Sequence, residues 1–229
     1  VRLAFKAGSS RDGEKFGISS LVNGLLVEGT GKHSSEDIAN QFESVGAELG
    51  HDSLRDMAWV SLRSLSEQEL WESVVDLFAQ VAAKPSFPQD AIDRDRQAML
   101  ISLSNRKKEI GDVVEDAFYQ NLYEGHAYQI GKHGTASTLQ ALSRQDLVKF
   151  HSDYYVGSNA TLALVGDLSL QQAKRYAEQL TRYLQPGKPA DPIQPAQMAE
   201  QGRTVNIEFK TTQSHIIQGL PVLSRNDPD

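Results

Sequence analysis

Between residues 46 and 108 the spacing of apolar side chains changes once, from every second residue to every third or fourth, and this change limits the fold more than any other feature of the chain. Residues 46–53 and 56–65 carry the shorter period. In the second run Met57, Trp59 and Ser61 fall on one side and Ala58, Val60 and Leu62 on the other. Such alternation predicts two half-buried strands, and their closeness in sequence predicts a hairpin. The longer period then takes over. Leu70, Trp71, Val74, Leu77, Phe78 and Val81 line one face of a helix over 67–83, and Ile92, Met99, Leu100 and Leu103 mark a second over 89–108. Lys84-Pro85-Ser86-Phe87-Pro88 separates them, because proline does not continue a helix. Strands followed by consecutive helices point to the α+β class, with a mixed or antiparallel sheet covered by helices.

The flanking segments fit that class. Residues 1–7 alternate as a strand and run into a turn over Gly8–Gly13. Phe16, Ile18, Leu21, Val22, Leu25 and Leu26 then recur at helical spacing up to a stop at Gly29, which predicts a mostly buried helix. Ser34-Ser35-Glu36-Asp37 caps a short helix with Ile38 and Phe42 on one face. Helices over about 112–123 and 138–152 flank a glycine-rich loop, YEGHAYQIGKHGT, and 161–166 reads as a short buried strand. A last helix over 169–183 has Leu170, Ala173, Ala177 and Leu180 inward. Residues 185–202, rich in Pro, Gln and Ala, lack periodicity and read as a linker. Two strand-like runs follow, 204–210 and 215–220, too few for a stable domain. The expected organisation is a domain over 1–184, the linker, and over 203–229 the opening of a second domain whose greater part is absent. Because Val1 stands in an alternating run already under way, the native N terminus and any signal peptide are expected to lie outside the sequence.

Composition removes several functions. The 229 residues, 39% hydrophobic, suffice for one good core, and no apolar run is long enough to span a membrane. A net charge of −7 argues against nucleic acid as a partner, since phosphate binding needs a concentrated basic face. The short run Arg106-Lys107-Lys108 reads as a solvated helix end. Zero cysteine excludes disulfides, thiolate zinc sites and cysteine nucleophiles. Gly29-Thr30-Gly31-Lys32 fails as a phosphate loop, because Leu26 and His33 stand where glycine and Ser/Thr are required. No G-x-S-x-G elbow occurs. None of the six histidines pairs with another at i, i+4. His126 and His133, in the glycine-rich loop, and His51-Asp52, near a strand end, read as surface residues.

A resemblance runs through nearly the whole chain. AGSSRDG, FGISSLVNGLLVEGT, IANQFESVGAELG, DRDRQAMLISL, GHAYQIGKHGT and LSRQDLVKFHSDYYVGSNATLALVGDLS follow one another in that order. The series resembles the first domain of the insulinase/pitrilysin family of zinc peptidases, the inverzincins, and within it the mitochondrial-processing-peptidase-like branch. LLVEGT and NATLALVGDLS are its most specific pieces. Active members carry H-x-x-E-H on the first helix, two histidines for Zn²⁺ and a glutamate as general base, with a third ligand, a glutamate, on a later helix. Laid on this chain, those positions fall at Ser20, Asn23, Gly24 and Ser102.

The resemblance therefore implies a degenerate member, with a processing-peptidase-like fold, no zinc or other cofactor, and no enzyme activity on its own. Two hydroxyls, an amide and a glycine neither hold Zn²⁺ nor lower the pKa of its water. The expected role is that of a non-catalytic subunit that shapes a closed chamber and helps bind peptide for a partner bearing H-x-x-E-H. The alternative is a structural or interaction protein with no link to proteolysis, like the core subunits of respiratory complexes. The expected partners are a zinc-bearing subunit of the same family, forming a heterodimer, and a peptide, without nucleic acid or membrane insertion. For compartment, the bacterial periplasm is favoured over the cytoplasm.

Overall fold

The computed structural model describes residues 1–197 and 201–222. Strand β1 (Arg2–Phe5) leads through a turn to helix α1 (Ile18–Gly24), which tightens into a short 3₁₀ turn at Leu25–Val27. A small ribbon of β2 (Gly29–Thr30) and β3 (His33–Ser34) precedes α2 (Ser35–Glu43). The predicted hairpin forms as β4 (Glu48–Ser53) and β5 (Ala58–Arg63). Four helices follow: α3 (Gln68–Ala83), α4 (Gln89–Arg106), α5 (Ile110–Leu122) and α6 (Ala136–Ala141). The described elements end with α7 (Arg144–Tyr154), β6 (Ala160–Ala163) and α8 (Leu170–Thr181).

The main sheet has the order β4-β5-β1-β6, each neighbouring pair antiparallel. Register explains its inner face. Leu3 pairs with Val60 and Leu162, Phe5 with Ala58 and Ala160, so these side chains share one side. Helix α1 packs on that side, against β4 and β5, with α4 and α7 behind it. Ile18, Leu21, Val22, Leu25 and Leu26 are all buried, each contributing about 1.5–3 kcal/mol of hydrophobic stabilisation. Trp71, Val74, Leu77, Phe78 and Val81 of α3 extend the same core, as their spacing predicted.

Four expectations need correction. Residues 161–166, read as a buried strand, pair only as far as Ala163, because β6 lies at the edge of the sheet; Thr161 and Ala163 are exposed and Val165 beyond them is 92% exposed. The helix expected over 138–152 is two helices, broken at Ser143. Its side chain accepts from the Asp146 N–H while Asp146 accepts from the Ser143 N–H, a capping box that starts α7 afresh. Leu170, read as inward, is 74% exposed because it is the first residue of α8, one turn beyond the edge of the core. Residues 204–210 and 215–220 alternate as strands but run without strand partners among the described residues, since a strand needs a neighbour to take up its backbone groups. Residues 198–200 of the expected linker, and 223–229 of the expected second domain, lie outside the described residues.

Candidate functional site

Helix α1 brings together three of the four positions matched to the family pattern, Ser20, Asn23 and Gly24, and the first two are engaged in holding the fold. Asn23 is buried in its interior, 2% exposed. Its side-chain nitrogen donates to the Trp59 carbonyl at 3.1 Å and to the Tyr155 hydroxyl at 3.4 Å, and its oxygen faces His51 Nδ1 at 3.3 Å. Asn23 thus ties α1 to β4, to β5 and to the end of α7. Tyr155 is itself sandwiched, its ring 4.6 Å from Phe5 and stacked 4.8 Å from His151, and burial pushes its hydroxyl far above the usual phenol range.

One turn earlier, the Ser20 hydroxyl donates to the Lys132 carbonyl at 2.8 Å. Lys132 also reaches Asp52 of β4, Nζ to Oδ1 at 3.0 Å. The glycine-rich loop is thereby fastened across α1 and the hairpin. Arg55, in the β4–β5 turn, fastens it further: it donates to the Tyr128 carbonyl at 3.0 Å and sits 3.8 Å over the Tyr119 ring, while the Tyr128 hydroxyl donates to Asp56 at 2.6 Å. At the far end of the loop Gly134 has φ +67, and a side chain there would come within 2.3 Å of the Phe16 carbonyl oxygen. Gly134→Ala is therefore expected to cost about 2–3 kcal/mol through strain and displacement of that contact. The check is a lowered denaturant midpoint together with faster proteolytic cutting between residues 123 and 135.

Gly24 faces α4. A methyl there would meet nothing nearer than Asp95 Oδ2, 3.8 Å away. Asp95, on α4, has its pKa raised, first by burial and also by neighbouring Glu28, although Arg94 opposes both. Arg94 pairs with Glu28 at 2.7 Å and with Asp95 at 3.1 Å. Ser102, the fourth position, is exposed on α4 and lines a hollow of about 490 Å³ with Asn105, Arg106, Glu109, Asp112 and His133. Arg106 is paired there with Asp112 at 2.6 Å and with Asp116 at 2.9 Å.

Two histidines read as surface residues belong to this region. His133 is half-buried beside Ser102, its basicity lowered first by burial and then by Arg106. His51 bonds Asn23, and burial likewise lowers its pKa even though Asp52, Asp95 and Glu28 act the other way. A signal for His51 existed in the alternation of β4. It shares the inner face with Leu49 and Ser53, so a polar ring was aimed at the helices. His126 instead binds the Gln194 carbonyl at 2.7 Å, away from α1.

The four positions do not fit Zn²⁺. They offer two hydroxyls, a carboxamide already committed to three partners, and no side chain at all at Gly24. Among the described residues no group of three or more His, Asp or Glu side chains comes together as a metal-holding set. No helix among them is long and apolar enough to cross a membrane.

The family model described as insulinase (peptidase family M16) matches residues 1–135, and that described as peptidase M16 inactive domain matches residues 141–229. A crystal structure of a peptidase M16 inactive domain from Pseudomonas fluorescens superposes with a TM-score of 0.85 at 36% identity, covering 86% of this chain and 48% of that one. An uncharacterized zinc protease of Streptomyces coelicolor is 24% identical over 92% of this chain and 47% of its own length. A probable mitochondrial-processing peptidase subunit beta of Schizosaccharomyces pombe is 24% identical over 81% of this chain and 40% of its own. The chain thus spans about half the length of these relatives, or less. With more than half of its residues matched, the chain belongs to the insulinase family of peptidases, family M16.

Proposed function

We propose that this chain is a non-catalytic subunit of a two-part M16 peptidase, which shapes the chamber and helps hold peptide for a partner carrying H-x-x-E-H and zinc. The observation that carries the reading is the fate of the four site positions. Asn23 serves as a structural hub, Ser20 holds a loop, Gly24 has no side chain and Ser102 is an isolated hydroxyl. None is a base or a metal ligand of useful strength. The loop and the hairpin that frame α1 are nonetheless in place. A sheet edge is also on offer. Among the described residues β4 pairs only with β5, so its outer N–H and C=O groups can add an extended peptide as a further strand. The match to an M16 inactive domain, and a relative that is by name a subunit of a processing peptidase, support the same reading.

The test is purification of the full-length tagged protein from its native source, followed by mass spectrometry, zinc analysis and a peptidase assay of the eluate. Recovery of a partner of similar size with an intact H-x-x-E-H, together with zinc and peptide cleavage, is the expected result. Recovery alone, or with non-peptidase partners and no cleavage, would replace this reading with that of a scaffold protein.

A further inference from the structure

The hydrogen bonds of Asn23 fix the state of His51. A backbone carbonyl only accepts, so the Asn23 nitrogen must face Trp59 O, and its oxygen must face His51. Nδ1 of His51 therefore carries the hydrogen. In the neutral ring Nε2 is left as a hydrogen-bond acceptor. The residue as a whole is exposed, on the open edge strand β4 and in register with Val60, on the side of the sheet where α1 packs. Its ring is crowded enough that desolvation lowers its basicity, which favours the neutral form.

The surroundings select among donors. Glu28, Asp52 and Asp95 all act on the His51 ring, and of the cations nearby Arg94 is shared between Glu28 and Asp95 while Lys132 takes Asp52. Three carboxylates thus face two cations. No side chain at Gly24 stands between α1 and Asp95, whose Oδ2 lies 3.8 Å from where a methyl would be. A carboxylate brought here would be repelled, and a neutral donor would leave the excess negative charge unanswered. A cationic donor gains a charge-assisted bond, roughly twice as strong as a neutral one.

We propose that His51 is a specificity-determining residue, whose Nε2 accepts a hydrogen bond from an ammonium group, a lysine side chain or an amino terminus, of a peptide laid along β4. The inference rests on the reading that this chain helps hold peptide. It adds which peptides are held: those that bring a positive charge to the His51 ring and the carboxylates around it.

The test uses the full chain with whatever partner copurifies. The probes are two fluorescein-labelled decapeptides of alternating Thr and Val, one with a central lysine and the other with norleucine in its place, titrated by fluorescence anisotropy at neutral pH and low salt. The parent is expected to bind the lysine peptide about tenfold more tightly than the norleucine peptide. His51→Ala is expected to bring the two within about twofold, with the thermal midpoint lowered by only a few degrees through loss of its bond to Asn23 so that the chain stays folded in the assay, and Asp95→Asn to narrow the gap partway. A lysine preference that persists undiminished in His51→Ala, or no preference in the parent, would overturn the inference and leave the peptide-holding role standing. Failure of the parent to bind either peptide would overturn both.

Discussion

The Asp12→Asn protein is expected to gain stability relative to its parent as the pH rises from 4 to 8, by on the order of 4 kcal/mol. Asp12 lies in the turn before α1, 5% exposed, where its carboxylate accepts the backbone N–H of Gly17 at 2.7 Å and of Ser19 at 3.2 Å. It takes the place of an N-cap, since Gly17 at the head of the helix has no side chain to offer. Burial outweighs those hydrogen bonds and raises its pKa from 3.8 to about 7. Between these two values the folded chain keeps a proton that the unfolded chain releases. The stability this supplies is complete below the unfolded value and is lost as the pH climbs through the folded one, at about 1.4 kcal/mol per pH unit. Asparagine has no proton to keep. Urea unfolding of both proteins across the range reads the difference directly, and a difference that does not change with pH would refute the assignment.

His151 works against Asp12. It is buried under Phe87 and Tyr155, with Nε2 donating to the Ala82 carbonyl at 3.0 Å, and burial lowers its pKa to about 4. The unfolded chain binds that proton more readily, so the His151 contribution grows as the pH rises from about 4 to about 6.5. One group gains what the other loses. In the parent the two slopes nearly cancel over that interval, and removing Asp12 leaves the rising limb uncovered.

Asn23→Asp is expected to destabilise the fold by about 3 kcal/mol at neutral pH, although it changes only one heavy atom. The introduced carboxylate has no hydrogen to give, so two acceptors, one of its oxygens and the Trp59 carbonyl, would face each other across the 3.1 Å now spanned by a hydrogen bond. Protonation restores a donor, so the deficit should shrink toward pH 5. For a chain of this size the loss is a fall of about 6–12 °C in the thermal midpoint. An unchanged midpoint would mean that Asn23 is not the hub described above.

Much of this was legible in advance. The hairpin, the proline break between α3 and α4 and the inward face of α3 followed from period and from the chemistry of proline, which are local. The break at Ser143 was masked because Leu139, Leu142, Leu147 and Phe150 continue an apolar pattern through it, and all four are buried. The family pattern directed attention to positions 20, 23, 24 and 102, but what the side chains there do was not readable. Ser20 meets Lys132 112 residues away and Asn23 meets Tyr155 132 residues away, contacts that exist only once the chain has closed on itself. The same holds for His133, whose place beside Ser102 depends on how the loop is fastened.

The bonding of Asn23 also bears on how a sequence like this one can evolve. If position 23 is matched to the general base of the family pattern, acquiring that base begins with a carboxylate there, and this first step draws on a stability reserve of only about 5–15 kcal/mol while giving nothing in return until the three other matched positions have changed. Drift at Ser20 or Ser102 meets a lower barrier, because neither side chain has more than one partner to lose. The buried amide acts as a ratchet, because any carboxylate at its position must first cross a stability valley that selection for folding alone keeps closed.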